Sequence, residues 1–126
     1  MNRVKEFFKS LSYALRGLGY VLENEKNFQN EVIAAIAVIV AMIYFRVSET
    51  EMIILFAVIM GVLIMELLNT VMERVVDIVK PQVHPYARLI KDLMAASVLI
   101  MAVLSVIVGI IIFVPYLTPK ILALLK

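Results

Sequence analysis

Four polar side chains recur at helical spacing inside one apolar stretch, residues 61–80. At about 100° per residue, spacings of three and four place them on one stripe of an α-helix, within roughly 80° of each other. The apolar run before them, residues 52–65, is long enough to carry the helix into a bilayer, where an unpaired carboxylate costs several kcal/mol. A buried acidic stripe of this kind indicates a functional site. Its members are Glu66, Asn69, Glu73 and Asp77.

The composition is that of an integral membrane protein. Apolar residues make up 63% of the 126 residues, and the mean hydropathy of +1.01 lies outside the range of soluble globular domains. A soluble domain of this size exposes too large a share of its residues to carry so apolar a sequence. The length predicts a single domain, residues 1–126. The absence of cysteine excludes a disulfide framework and a thiolate metal site.

The hydrophobic pattern predicts an all-α membrane fold, with one surface helix and three transmembrane helices. In about residues 4–22 apolar residues recur at helical spacing and basic residues fall mainly elsewhere, which predicts an amphipathic helix on an anionic membrane surface. Pro81 and Pro85 should separate the second span from the third, and Pro115 should end the third and leave a tail, residues 115–126. The spans are expected at about residues 28–46, 51–79 and 88–114.

Lysine and arginine residues are concentrated on one side of these spans. Five lie in the N-terminal segment and four around the second connection, whereas the first connection holds only Arg46 beside two glutamates. The positive-inside rule therefore predicts that the N-terminus and the second connection are cytoplasmic. On this topology, one group of polar residues converges at the cytoplasmic interface. Its members are Glu25, Glu66, Asn69, Glu73, Asp77, Lys91 and Asp92.

Several carboxylates beside one lysine suit phosphoryl transfer. Mg²⁺ is commonly held by one or two carboxylates together with substrate phosphates, a lysine can hold phosphate, and a base can position the attacking hydroxyl. Two other classes fit the residues. Glu66 or Glu73 could be the exchange site of a small proton-coupled transporter, although residues 52–65 hold no ionisable group for a path across the membrane. All the carboxylates could also serve only as interhelical ion pairs in a structural membrane subunit.

The sequence contains the segments YALRGL, NEKNF, MELLNTVMERVVD and HPYARLIKD. Together they resemble the prokaryotic diacylglycerol kinase family, which also contains the undecaprenol kinases, and the resemblance extends from Lys9 to about Val114. It implies a homotrimer of three-span subunits in the bacterial cytoplasmic membrane, with active sites shared between neighbouring chains. It also implies that the γ-phosphoryl group of ATP is transferred to the hydroxyl of undecaprenol or diacylglycerol, which gives undecaprenyl phosphate or phosphatidic acid.

The resemblance further implies a role for each site residue. Glu66 matches the general base that acts on the lipid hydroxyl, and Asn69 matches the residue that orients it. Glu25 and Glu73 match the carboxylates that bind Mg²⁺ at the ATP phosphates. The other nucleotide-binding positions are Tyr13, Asp77, Val83, His84, Lys91 and Asp92. The lipid-binding positions are Arg16, Glu31, Glu66 and Ala95.

Two departures from the Gram-negative diacylglycerol kinases affect the predicted acceptor. Met94 and Ala95 stand where those proteins have a Gly-Ser pair, so a contact to the substrate hydroxyl is missing, and the chain has no tryptophan. The first two motifs also look more like the undecaprenol kinases of Gram-positive bacteria. We therefore expect a polyprenol acceptor in preference to diacylglycerol.

Overall fold

The computed structural model describes residues 2–79 and 84–124, and within these ranges every element of regular structure is an α-helix. The all-helical class is therefore confirmed. Helices α2, α3 and α4 are long and apolar enough to cross a membrane, as the three predicted spans require. The placement of α1 on a membrane surface stays a prediction. The four helices are α1 (Asn2–Asn24), α2 (Lys26–Phe45), α3 (Glu49–Val79) and α4 (Pro85–Leu124).

Two irregular backbone positions separate the first three helices, one between α1 and α2 and one at the end of α2. Glu25 separates α1 from α2 because its backbone is extended, with φ −110° and ψ 106°. Arg46 ends α2 in the left-handed conformation, and its N–H bonds to the Ile43 carbonyl at 3.3 Å. Ser48 and Glu51 then form a capping box, since the Ser48 N–H donates to the Glu51 carboxylate at 2.8 Å and the Glu51 N–H to the Ser48 hydroxyl at 3.4 Å.

The closest packing joins α3 to α4 and lies near the α2–α3 turn. Its centre is a cluster of four buried side chains from three helices and the turn: Met42, Val47, Leu55 and Ile112. Further along the same helix pair, the Met101 side chain lies directly over Gly61, in space that a Cβ atom would occupy. Glycine therefore lets α3 approach α4 closely at this level.

Most of the apolar surface of the spans faces outward. Only 6% of the most apolar window of α4 is buried, and large side chains such as Ile100 and Ile111 are mostly exposed. A face this apolar is expected to contact lipid or another protein chain.

The predicted end of the third span at Pro115 is wrong. Helix α4 continues through Pro115 and Pro119 to Leu124, so residues 115–124 extend the helix and do not form a separate tail. Proline removes one backbone N–H, but its fixed φ is close to the helical value, and transmembrane helices tolerate it. Tyr116 and Lys120 also hold this stretch against the α2–α3 turn, since the Tyr116 hydroxyl donates to Glu51 at 2.7 Å.

Candidate active site

The acidic stripe on α3 runs from a buried end to an exposed one. Glu66 and Asn69 are buried, with 5% and 6% of their surface exposed, Glu73 is half-buried, and Asp77 is exposed. The helical spacing that the sequence indicated thus sets the depth of each side chain as well as its direction. The two residues predicted to act on the lipid hydroxyl lie deepest.

Glu66 is the centre of a group of polar side chains from two helices and the break between α1 and α2. The Asn27 side chain on α2 contacts its carboxylate, and the carboxylates of Glu25 and Glu73 lie close enough to interact with its charge. Glu31, one turn further along α2, also lies within electrostatic range of Glu66. The structure therefore brings together Glu25, Glu31, Glu66 and Glu73, all of which the sequence assigned to the site.

Two buried oxygen atoms in this group have no hydrogen-bond partner. They are Oε2 of Glu31 and Oδ1 of Asn69. The Asn69 amide nitrogen donates to Oε1 of Glu73 at 3.4 Å, which fixes the orientation of the Asn69 side chain. Its Oδ1 accepts no hydrogen bond. Buried polar atoms are nearly always satisfied in folded proteins, and an exception of this kind indicates a place that a ligand, ion or water completes.

Two ion pairs surround the group. Lys91 on α4 donates to Oδ1 of Asp77 at 2.5 Å, which joins two residues that the sequence predicted for the site. Arg74 donates to Oε1 of Glu25, also at 2.5 Å. Arg74 and Asn27 were missed as site residues: Asn27 lies inside the NEKNF motif, but nothing in the spacing of Arg74 indicates a partner 49 positions away.

The remaining predicted residues lie apart from this group. Tyr13 is exposed on α1, where the Arg16 guanidinium lies 4.8 Å from the centre of its ring. Asp92 and Ala95 are exposed on α4. The His84 ring stacks on that of Tyr86, and its Nδ1 accepts the Tyr86 N–H at 3.3 Å. Val83 lies outside the described residues. Within one chain, these positions do not close around the carboxylates.

An apolar cavity of about 230 Å³ opens between α2, α3 and α4. Its walls are mainly aliphatic and include Val38, Leu55, Val62 and Val106, and Glu31 is its one carboxylate. Glu31 both lines the cavity and lies within electrostatic range of Glu66, so the cavity adjoins the acidic group. This arrangement can accept the hydrocarbon part of an amphipathic molecule next to a carboxylate.

Glu25 and Glu73 offer the oxygen ligands that Mg²⁺ prefers, and the open Asn69 oxygen lies beside Glu73. Among residues 2–79 and 84–124, no three carboxylate or histidine side chains converge as a complete metal site. Mg²⁺ is rarely enclosed by protein ligands alone and usually keeps water and substrate phosphates. The donor set therefore fits a metal that arrives with a nucleotide.

Comparison with known proteins identifies the family. The family described as "Prokaryotic diacylglycerol kinase" matches residues 12–113, which include every predicted site residue from Tyr13 to Ala95. The chain belongs to this family. The resemblance drawn from the four motifs is confirmed, and so is the assignment of the chain to a class of enzymes.

Members of the diacylglycerol kinase family with curated names are similar over most of the chain. Undecaprenol kinase of Bacillus subtilis is 40% identical over 90% of this chain and 93% of its own length. Diacylglycerol kinase of Synechocystis is 36% identical over 79% of this chain and 58% of its own length. Diacylglycerol kinase of Escherichia coli K12 is 31% identical over 79% of this chain and 81% of its own length. None of these three relatives is named as a transporter or as a structural membrane subunit.

Proposed function

We propose that this chain is an ATP-dependent lipid kinase that transfers the γ-phosphoryl group of ATP to the hydroxyl of a membrane lipid. The observation that carries the proposal is Glu66, a buried carboxylate near further carboxylates, on a helix that also lines an apolar cavity. A lipid alcohol has the same two parts, a hydrocarbon chain and a terminal hydroxyl. Membership of a family of lipid kinases supports the same reaction.

In this proposal Glu66 is the general base. The hydrocarbon part of the acceptor lies along the apolar cavity, which places its hydroxyl beside Glu31 and Glu66. Glu66 takes the hydroxyl proton while the oxygen forms a bond to the γ-phosphorus, and the bond from that phosphorus to the bridging oxygen of ADP breaks. The lipid phosphate and ADP leave, and the proton on Glu66 passes to water. The open oxygen of Asn69 orients the hydroxyl.

The nucleotide is assigned to the exposed end of the acidic stripe. Lys91, held by Asp77, supplies a positive charge for the phosphates, and Asp92 follows it on α4. Glu25 and Glu73 would hold Mg²⁺, which neutralises phosphate charge when it is bound. Tyr13, Val83 and His84 retain the nucleotide-binding role that the motifs imply.

Undecaprenol is the acceptor we favour. The named undecaprenol kinase shares 40% of aligned residues with this chain, compared with 31% for the diacylglycerol kinase of Escherichia coli. Ala95 is exposed near the start of α4 and has no hydroxyl, so it cannot donate a hydrogen bond to the acceptor. Either lipid presents a primary alcohol to Glu66, and the preference arises from how the hydrocarbon chain fits between the helices.

We further propose a homotrimer in the bacterial cytoplasmic membrane, with the acidic group on the cytoplasmic side. Two observations support shared sites: Tyr13 and Arg16 lie apart from the carboxylates of their own chain, and the faces of α4 are largely uncovered. The orientation is supported by the lysines and arginines at the N-terminus and near the second connection.

The test is a phosphorylation assay of the purified protein in mixed micelles with Mg²⁺ and γ-labelled ATP. Undecaprenol and diacylglycerol are offered side by side, in equal mole fraction. We expect label in the lipid fraction, with undecaprenol labelled faster. Faster labelling of diacylglycerol would contradict the acceptor preference, and label in neither lipid would contradict the kinase. In that case, proton-driven flux in vesicles without ATP would favour a carrier, and no nucleotide binding would favour a structural subunit.

A further inference from the structure

Glu25, one of the two carboxylates proposed for the metal, has an unusual position in the chain. It occupies the N-cap position of α2, where the shorter side chains of Asp, Asn, Ser and Thr commonly accept hydrogen bonds from the first backbone amides of the helix. Its side chain makes no such bond. The carboxylate instead turns toward α3, where Oε1 accepts Nη2 of Arg74 at 2.5 Å. One of the two oxygens of a carboxylate assigned to the metal is therefore already occupied by a cation.

The pair between Arg74 and Glu25 is uneven in its exposure. The Arg74 side chain is 57% exposed, whereas that of Glu25 is only 20% exposed. Ion pairs this accessible to solvent contribute little to folding stability. The main effect of the pair is local, because it fixes the direction of the Glu25 carboxylate and places a positive charge next to it. Arg74 also directly follows Glu73, the second proposed metal ligand.

A guanidinium and a divalent cation compete for the same carboxylate oxygen. While Arg74 holds Glu25, a metal ion must compete for Oε1 or bind the other oxygen beside the positive charge of Arg74, so binding of the free metal is weakened. A bound nucleotide changes the competition between Arg74 and the metal for Glu25. Its phosphates offer the planar guanidinium a bidentate partner, and they bring negative charge to the metal. Arg74 can then leave Glu25 as the metal arrives.

We infer that Arg74 is a positioning residue that keeps Glu25 from binding a free divalent cation, so that metal enters this site together with the nucleotide. The inference rests on the proposed function, because it takes Glu25 as a metal ligand and ATP as the co-substrate. It adds a role for a residue that the family motifs did not assign. It also makes metal occupancy dependent on nucleotide, which is a property that can be measured without turnover.

The test is titration of the purified protein with Mn²⁺ in uncharged detergent, with free Mn²⁺ followed by electron paramagnetic resonance. Without nucleotide, Arg74→Gln should bind Mn²⁺ at least tenfold more tightly than the unmodified protein, and Arg74→Lys should stay within threefold of it. The gain should vanish in the double variant with Glu25→Gln. With a non-hydrolysable ATP analogue present, the affinities of the unmodified protein and Arg74→Gln should converge to within threefold.

Two controls test whether a change in Mn²⁺ affinity comes from the Arg74–Glu25 pair and not from a general loss of charge or from misfolding. Arg88→Gln removes a charge from an exposed position on α4 and should leave the affinity for Mn²⁺ within threefold. Arg74→Ala is made in parallel, and helix content and elution volume are compared so that a misfolded variant is recognised. Equal or weaker Mn²⁺ binding by folded Arg74→Gln or Arg74→Ala would overturn the inference. A gain that persists without Glu25 would also overturn it.

The lipid assay separates this inference from the proposed function. If the unmodified protein labels neither lipid, the proposed function fails, whatever the Mn²⁺ titration gives. If the unmodified protein labels a lipid but Arg74→Gln gains no Mn²⁺ affinity, only the role of Arg74 fails.

Discussion

The two ends of the α3–α4 pair carry similar residues but use them differently. The carboxylate end comprises Glu25, Glu66, Asn69, Glu73 and Lys91, and the aromatic end comprises Phe45, Glu51, Phe113, Tyr116 and Lys120. Each end has acidic residues on α3 and a lysine on α4. At the aromatic end the polar groups find partners within the chain, whereas at the carboxylate end some remain open.

At the aromatic end, Glu51 is satisfied locally. Its Oε2 accepts hydrogen bonds from the Ser48 N–H and hydroxyl, each at 2.8 Å, and from the Tyr116 hydroxyl at 2.7 Å. The Lys120 ammonium lies 3.9 Å from the centre of the Tyr44 ring. These contacts surround the buried cluster of the fold, so this end holds three helices together.

The carboxylate end is arranged for a ligand. Glu31 and Asn69 each bury an oxygen without a partner, and the charge of Glu66 interacts unfavourably with those of Glu73 and Glu25. An arrangement of this kind lowers stability and is retained where function requires it. The comparison teaches that an acidic residue on α3 does not by itself indicate chemistry, because Glu51 is only partly buried and is held by hydrogen bonds. What distinguishes Glu66 is its burial near other carboxylates, whereas three hydrogen bonds hold Glu51.

The largest expected effect is that of Glu66→Gln. Glutamine keeps the size of the side chain but cannot take a proton, so kcat should fall about 10²- to 10⁴-fold. The midpoint of thermal unfolding in detergent should stay the same or rise, since one buried charge is removed. The matched control is Glu49→Gln, at an exposed position in the first turn of the same helix, which should retain kcat within twofold. Substantial turnover by Glu66→Gln would contradict its role as the base.

The next effect concerns stability at the aromatic end. Leu55 is 1% exposed, and Leu55→Ala should lower the free energy of unfolding by about 2–5 kcal/mol, because it leaves a cavity in the buried cluster. The readout is stability alone, because Leu55 also lines the apolar cavity assigned to the lipid. Reversible unfolding in a denaturing detergent measures the change. Ile53→Ala, at a position 70% exposed on the same helix, is the control. A loss no larger than the control's would place the packing centre elsewhere.

The smallest effect is expected for Tyr116→Phe. It removes one of three hydrogen bonds to Glu51, and the midpoint of thermal unfolding should fall by a few degrees with kcat unchanged. A double-mutant cycle with Glu51→Gln measures the coupling between the two side chains. Additive effects in that cycle would show that the hydrogen bond does not tie the end of α4 to α3.

The sequence predicted most of the fold because hydrophobic length and helical spacing are local signals. The three spans and the stripe from Glu66 to Asp77 follow from them directly. The end of the third span was wrong because proline was treated as a stop. Contacts of Tyr116 with Glu51, 65 positions away, support the helix beyond Pro115, and no local rule reports such a contact.

The candidate site was predicted only in part. Glu25, Glu66 and Glu73 were placed together from topology, and the structure brings them close. Arg74 was counted only as a positive charge for membrane orientation, because the break at Glu25 that turns its carboxylate toward α3 cannot be read from residue types. Tyr13 and His84 do not reach the carboxylates within one chain, so their assignment depends on how copies of the chain assemble.

The length of the uncharged part of α4 indicates the membrane thickness that this protein fits. Twenty-seven consecutive residues without a charge lie between Asp92 and Lys120, and at about 1.5 Å per residue they span roughly 40 Å. That length is close to the thickness of a bilayer with its headgroups, about 40–45 Å. Helix α2 has only 20 residues, or about 30 Å, which equals the hydrocarbon thickness alone. A thinner bilayer therefore favours a tilt of α4, and a thicker one must thin locally around α2.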